Sequence, residues 1–261
     1  MLHAINWLYA ASGLLVGFLV GLTGVGGGSL MTPILILLFG FAPVTAVGTD
    51  QLFASVTKSA GSVVHGMNHT VDWRIVGRLA AGSVPAAIVT LLSLYYLRVN
   101  GNAANALVTK VLSVALVFTA VSLILRPWIL SLYTRRIGVV GARATFRLTI
   151  LTGFILGVLV SLTSVGAGAL GVTALILLYP NLPLGRIVGS DIAHAVPLTL
   201  VAGIGHWLQG TVNLTLLGSL LIGSLPGIFI GSLLVPRVPE ILLRMVLATV
   251  LLFVAFRFLV Q

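Results

Sequence analysis

Two short glycine-rich runs interrupt apolar segments of this chain, and their residues are the best suited to chemistry. The first run is Gly-Val-Gly-Gly-Gly-Ser at residues 24–29, and the second is Ser-Val-Gly-Ala-Gly-Ala at residues 164–169. A helix that begins at such a break presents unpaired backbone N–H groups and the positive end of its dipole. Glycine also lets an oxyanion approach the backbone closely, so both runs are candidate anion sites.

Seven residues of the two runs are predicted to bind substrate through their backbone or hydroxyl groups. They are Gly26, Gly27, Gly28, Ser29, Gly166, Ala167 and Gly168. The alternative interpretation is close helix packing through small residues. A nucleotide-binding loop is not expected, because no strand precedes the first run and no Lys-Ser/Thr pair follows it.

Acidic side chains extend this candidate site. Asp50 and Asp191 are two of only four acidic residues, and they lie near the predicted starts of apolar segments at 48–66 and 190–208. Each follows a hydroxyl residue, Thr49 or Ser190, that is also predicted to contact substrate. A carboxylate inside a membrane is predicted to bind a coupling H⁺ or Na⁺. The alternative is that each carboxylate caps its helix.

Basic side chains occur in the same segments. Lys58 follows Asp50 by eight residues, where a lysine is costly unless it is paired or faces water. It is predicted to attract the anion, with pairing to Asp50 or a snorkelling position as the alternatives. His194 lies three residues after Asp191 on the same helical face, which leaves substrate contact and a carboxylate hydrogen bond both open. No catalytic residue, metal site or cofactor is predicted, because no nucleophile or third ligand accompanies these side chains.

The composition indicates which elements must position these groups. The 261 residues are 59% hydrophobic and only 7% charged, and the mean hydropathy is +1.19. A soluble domain carries about 25% charged residues, so we predict a multi-pass all-α protein of the plasma (inner) membrane. The net charge of +10 is attributed to cytoplasmic loops rather than to nucleic-acid binding. No cysteine is present, which excludes disulfides and thiolate metal sites.

An internal repeat relates the two halves at an offset of 140 residues, which becomes 141 after a one-residue insertion. It matches polar and turn residues, so shared hydrophobicity does not explain it. Identical pairs include Gly13/Gly153, Gly17/Gly157, Pro43/Pro183, Gly48/Gly189, Asp50/Asp191, His65/His206, Thr70/Thr211, Gly77/Gly218 and Ser83/Ser224. We therefore predict a helical bundle of two homologous repeats with about 8–10 membrane segments and two glycine-broken helices. The paired histidines are interpreted as polar ends of their helices.

The predicted organisation places a first transmembrane repeat at 1–126, a basic cytoplasmic connection at 127–147 and a second transmembrane repeat at 148–261. Lys and Arg favour cytoplasmic loops, and five arginines mark the connection: Arg126 directly before it, and Arg135, Arg136, Arg143 and Arg147 within it. The loop with Arg74 and Arg78 is basic, whereas its repeat partner at 209–213 is uncharged. Equivalent loops on opposite faces predict inverted repeats.

The motifs also carry a family resemblance. Residues 24–30 with Pro33, the sequence Ala-Val-Gly-Thr-Asp at 46–50 and the duplicated glycine-rich element resemble the sulfite exporter TauE/SafE family of membrane permeases. The resemblance covers nearly the whole chain and implies export of sulfite or a small organosulfonate. The second half departs from it, with Ala167 at the middle glycine and Thr173 in place of Pro33. We therefore expect the first run to hold the anion more closely.

These features predict a secondary transporter, an exporter of a small sulfur-containing anion that binds at the glycine breaks near the membrane midplane. Alternating access is expected. No nucleotide motif is present, so transport is expected to be driven by an ion gradient, with H⁺ or Na⁺ as candidates, or by the substrate's own gradient. The expected partners are the anionic substrate and the lipid bilayer, with a homodimer left open and no nucleic acid. A passive anion channel is the alternative, followed by a membrane-embedded enzyme, although no enzyme activity is predicted.

Overall fold

The computed structural model describes residues 6–23, 28–96, 101–136, 141–234 and 240–260, and every regular element in these ranges is an α-helix. The helices are α1 Trp7–Thr23, α2 Gly28–Leu37, α3 Pro43–Met67, α4 Trp73–Tyr96, α5 Gly101–Arg136, α6 Ala142–Thr163, α7 Ala169–Leu178, α8 Leu184–Leu208, α9 Leu214–Leu234 and α10 Glu240–Val260. The all-α prediction is confirmed. Gly26 and Gly27 lie outside the described residues.

Five helices are long and apolar enough to cross a membrane, since a span needs about 20 residues. They cover Trp73–Tyr96, Gly101–Trp128, Ala142–Thr163, Leu184–Leu208 and Leu214–Gly231. Two shorter apolar helices cover Trp7–Leu22 and Ala169–Leu178. Large side chains such as Phe118, Phe154 and Phe253 are exposed on the outside of the bundle. The protein is therefore a multi-pass membrane protein, as its composition predicts.

Small residues bring α1 against α9 and α6 against α4. Four glycines of α1 and α6 lie where a Cβ would overlap backbone atoms of the partner helix: Gly13 at Leu220, Gly17 at Ser224, Gly153 at Leu79 and Gly157 at Ser83. Such close approach is how membrane helices gain packing energy without a hydrophobic driving force. The first helix of each half thus packs against the fourth helix of the other half.

The central helices α3 and α8 lie side by side and run in opposite directions. Gly48, near the start of α3, faces His206 near the end of α8, and Gly189, near the start of α8, faces His65 near the end of α3. These two helices carry many of the buried polar side chains: Thr49, Asp50, Gln51, Ser55, Thr57 and Lys58 on α3, and Ser190, Asp191, His194, Thr199 and His206 on α8. The pair therefore positions the candidate site.

Both central helices begin earlier than predicted. The expected starts were near residues 48 and 190, whereas α3 begins at Pro43 after Ala42 and α8 begins at Leu184 after Pro183. Proline is well suited to the first turn of a helix, because its missing N–H has no intrahelical acceptor there. The repeated proline pair therefore marks the start of both central helices.

Helix also extends into both ends of the connection predicted at 127–147. α5 continues through Pro127 to Arg136, and α6 begins at Ala142. A proline inside a membrane helix is tolerated where neighbouring groups satisfy the freed backbone carbonyl. The charged residues of this region therefore lie largely on helices.

Candidate functional site

The second glycine run separates α6 from α7 inside the protein. α6 ends at Thr163 and α7 begins at Ala169, and residues 164–168 are all buried. Ser164, Gly166 and Gly168 have φ angles of 60°, 120° and 121°. Glycine adopts positive φ at no steric cost, which explains the two glycines and the end of regular helix between α6 and α7.

The first backbone amides of α7 are only partly available to a ligand. The Leu170 and Gly171 amides donate to the carbonyl of Gly166 at 3.1 and 3.2 Å. The Gly168 amide instead faces the carboxylate of Asp191. An internal carboxylate therefore occupies the side of the break where an anion was predicted to bind.

Lys58 is a buried cation on α3 that reaches the same break. Its side chain is 6% exposed, and Nζ donates to the carbonyl of Ala167 at 3.3 Å. The ammonium also interacts electrostatically with Asp191 and with Asp50. Such partners are needed because a cation that leaves water loses several kcal/mol of hydration energy.

Asp191 is the least satisfied charged group of the cluster. It is completely buried, and neither carboxylate oxygen has a hydrogen-bond partner among the described residues. Gly171 lies directly against it, because a Cβ at that position would overlap Oδ1. The Gly168 amide and the Lys58 ammonium face this carboxylate, but no side chain donates a hydrogen bond to either oxygen among the described residues.

Asp50 is also completely buried but is held by a hydroxyl group. Thr32 Oγ1, on α2, donates to Oδ2 at 2.6 Å, while Oδ1 has no hydrogen-bond partner in the described chain. The Ser164 hydroxyl faces the same carboxylate. Asp50 thus links α3 to α2 and faces the second glycine run.

Neither carboxylate caps its helix, which was the alternative to a coupling role. Asp50 follows Pro43, the first residue of α3, by seven residues, and Asp191 follows Leu184, the first residue of α8, by seven. A helix cap satisfies amides of the first turn only. Both carboxylates lie beyond that turn.

His194 lies on α8 within the same cluster. Its Nε2 is 2.8 Å from Ser83 Oγ on α4, and its Nδ1 has no hydrogen-bond partner among the described residues. The ring also interacts electrostatically with Lys58. The sequence suggested a hydrogen bond from His194 to Asp191, but the ring bonds to Ser83 instead.

A cavity of about 160 Å³ reaches this cluster from the side of α3 that carries His65. Charged and small residues share its lining, namely Lys58, Asp191, Gly168, Gly21 and Gly61. The remaining lining is mostly apolar and comes from α1, α3, α8 and α9. A small ligand in this cavity would contact an ammonium, a carboxylate and the backbone of the glycine break.

Comparison with known proteins agrees with this architecture. The model of one protein family, described as Sulfite exporter TauE/SafE, matches residues 9–258 of this chain. The chain belongs to the TauE/SafE family. The resemblance noted in the sequence motifs is thereby confirmed.

Relatives of this TauE/SafE protein are named as transporters. "Probable membrane transporter protein YjnA" of Bacillus subtilis (strain 168) is 38% identical over 241 residues, which cover 92% of this chain and 94% of that protein. "Probable membrane transporter protein YdhB" of the same organism is 24% identical over 223 residues, covering 82% and 84%. No solved structure matches the chain. The protein is a membrane transporter.

In this TauE/SafE protein, Ser190 and Thr49 accept hydrogen bonds from loop amides, although both hydroxyl groups were predicted to bind substrate. Ser190 Oγ accepts the Asp72 amide at 2.8 Å, and Thr49 Oγ1 accepts the Asn213 amide at 3.0 Å. Each central helix is thereby tied to the loop that follows the other central helix. Contact of Thr49 and Ser190 with substrate stays a prediction.

The first turns of α2 contribute to the cluster through one residue that the sequence predicted, Ser29, and one that it did not, Thr32. α2 begins at Gly28, and Ser29 is buried in its first turn. The group that reaches Asp50 is Thr32, which sequence reasoning did not single out. Ser83 was likewise noted only as a repeat match with Ser224, although that match of polar residues could have marked it.

Proposed function

We propose that this protein exports a small sulfur-containing anion, sulfite or an organosulfonate, by alternating access. The observation that carries the proposal is the buried Lys58 ammonium on a cavity that also meets the glycine break. Charge-assisted hydrogen bonds are about twice as strong as neutral ones, and an oxyanion is the kind of ligand to which an ammonium donates them. The family description as sulfite exporter supports the substrate class.

The charge balance of the cluster supports coupling to a cation. Asp50 and Asp191 would contribute two negative charges against one positive charge on Lys58. An oxyanion adds further negative charge to a buried site, where unpaired charge is strongly unfavourable. We therefore propose that H⁺ or Na⁺ is taken up at Asp191 as the anion binds, in keeping with the usual role of intramembrane carboxylates.

The direction of the central helices supports inverted repeats. α3 and α8 are equivalent in the sequence repeat and run in opposite directions, as their contacts at Gly48 and Gly189 show. The cavity lies at the His65 end of α3, the end at which α4 begins with Arg74 and Arg78 in its first two turns. In this proposal the cavity faces the cytoplasm, from which an exporter collects its substrate.

The proposal is tested by anion flux in proteoliposomes that contain wild-type protein or Lys58→Met. Sulfite, sulfate, thiosulfate and C2 sulfonates are supplied in turn, and flux of the preferred anion by Lys58→Met should fall about 100-fold, equivalent to about 2.7 kcal/mol. Lys110→Met removes an exposed lysine of α5 and should transport normally. Wild-type flux in folded Lys58→Met would refute the proposed site.

The same vesicles separate a transporter from a passive channel. A secondary transporter should show saturable flux and counterflow of labelled substrate, because each anion requires a conformational cycle. Flux that rises linearly with concentration and shows no counterflow would instead indicate a channel.

A further inference from the structure

His206 closes the space between α8 and α6. The ring is buried near the end of α8, and Nε2 lies 2.9 Å from the carbonyl of Ser161 on α6. A carbonyl only accepts hydrogen bonds, so Nε2 is the donor. Nδ1 lies 3.1 Å from Thr211 Oγ1, which attaches the ring to the loop after α8.

His65 occupies the equivalent position at the end of α3 but makes only half of these contacts. Nδ1 lies 2.8 Å from Thr70 Oγ1, the repeat partner of Thr211. Its Nε2 forms no hydrogen bond within the described chain, and the half-buried ring lines the 160 Å³ cavity. The two rings are thus anchored alike, and they differ in whether Nε2 has an acceptor.

The repeat identifies the acceptor that His65 lacks. At the offset of 140, Ser161 of α6 corresponds to Gly21 of α1, and Gly21 lines the same cavity as His65. Both carbonyls belong to the last turn of their helices, where backbone carbonyls have no intrahelical partner. Where the second half has the bond between His206 and Ser161, the first half has a cavity that His65 and Gly21 both line.

We propose that His65 and His206 are alternating gates of the transport cycle. In the described state the bond between His206 and Ser161 is made, and the cavity beside His65 is open. In the opposite state His65 Nε2 donates to the Gly21 carbonyl, and the bond between His206 and Ser161 is broken. This rests on the proposed alternating-access function and adds the residues that decide which side is open.

The opposite access route has a place in the structure. A cavity of about 870 Å³ lies at the other end of the central helices, and its lining includes Thr45, Leu162, His206 and Thr211. In this proposal the bond between His206 and Ser161 closes this cavity off from the buried cluster around Lys58. When that bond breaks, substrate could pass from the cluster into the larger cavity.

The test uses single cysteines, because the natural chain contains none. Val64→Cys reports on the smaller cavity, and Thr45→Cys reports on the larger one. Each is labelled with a membrane-impermeant maleimide in opened vesicles without substrate. His65→Ala should raise labelling at position 64 and lower it at 45, whereas His206→Ala should do the reverse. The expected shifts are about 2- to 10-fold, the population change that one hydrogen bond supports.

Matched variants separate gating from a structural role. His69 is an exposed histidine of the loop after α3, and His69→Ala should leave both labelling rates unchanged. His65→Gln and His206→Gln retain an N–H donor and should restore wild-type labelling. Thr70→Val and Thr211→Val loosen each ring without removing it, and they should shift labelling in the same opposite directions, more weakly. These threonine variants replace His65→Ala or His206→Ala in the test if either alanine variant does not fold.

Two results would overturn the gates: shifts in the same direction for both histidines, or no shift in folded variants. Their failure is distinguishable from failure of the proposed function, because labelling requires no substrate. Opposite shifts without sulfite or sulfonate flux would leave the gates standing and reject the substrate. Normal flux without opposite shifts would reject the gates alone.

Discussion

Asp50 and Asp191 occupy equivalent positions of the repeat, yet they have different surroundings. Asp50 accepts a hydrogen bond from Thr32 at 2.6 Å, whereas both oxygens of Asp191 lack a hydrogen-bond partner among the described residues. Lys58 interacts electrostatically with both carboxylates. Asp191 also lines the 160 Å³ cavity. One copy of the aspartate is thus held by a side-chain donor, and the other lines a cavity without one.

Two neighbouring positions account for this difference. At the offset of 140, Thr32 corresponds to Val172, so the second half lacks the hydroxyl group that holds Asp50. Met31 is completely buried, and it corresponds to Gly171, where a Cβ would overlap Asp191. At these two positions the first half carries a large buried side chain and a hydroxyl donor, whereas the second half carries neither. The duplicated element has therefore diverged into a support and a candidate binding site.

Neutralising the two aspartates separately should give the largest contrast. Asp191→Asn should reduce cation-coupled anion flux about 100-fold, because no neighbouring group replaces the charge that binds the coupling ion. Asp50→Asn should cost about 10-fold, because the amide oxygen can still accept the Thr32 hydroxyl. Flux driven by an imposed H⁺ or Na⁺ gradient measures both effects.

The amount of folded protein in each variant controls for general damage. Both variants should elute as single species in size-exclusion chromatography. Equal losses of flux would show that the two carboxylates do the same work, and a larger loss for Asp50→Asn would reverse the assignment.

Filling the space beside Asp191 should have the next largest effect. The Cβ of Gly171→Ala would displace the carboxylate, and we expect about a 10-fold loss of flux as the ion site is distorted. Gly77→Ala is the matched control on α4, because its Cβ would meet nothing within 4 Å. That control should transport normally and gain up to about 1 kcal/mol of stability. Normal flux in Gly171→Ala would argue against an ion site at Asp191.

The sequence predicted the helical membrane bundle because composition and periodicity report burial in lipid directly. It also singled out Lys58, Asp191 and the second glycine run, which the structure brings together, because charge inside an apolar segment is unusual. It did not reveal Thr32 as the partner of Asp50. A threonine in an apolar helix is ordinary, and only packing shows which way its hydroxyl points.

The starts of the central helices were missed for a different physical reason. The paired prolines Pro43 and Pro183 mark them, whereas the predicted apolar segments begin only at residues 48 and 190. Those later starts place Asp50 and Asp191 near helix starts and make capping a competing interpretation. The expectation that the first run holds the anion more closely stays a prediction, because Gly26 and Gly27 lie outside the described residues.

Substituting Thr32 and Val172 separately, each by the other's residue type, should have the smallest effect on transport and should refine the comparison most. Thr32→Val leaves Asp50 without a hydrogen bond and should lower the free energy of unfolding by about 1–3 kcal/mol. Val172→Thr would supply Asp191 with the donor that Asp50 has, and it should stabilise the fold by about 0.5–1.5 kcal/mol while slowing transport. Thermal unfolding in detergent and flux in vesicles measure the two effects. If Val172→Thr changed neither quantity, the missing hydroxyl would not explain the different surroundings of Asp191, and the presence of Gly171 where the first half has the buried Met31 would remain as the cause.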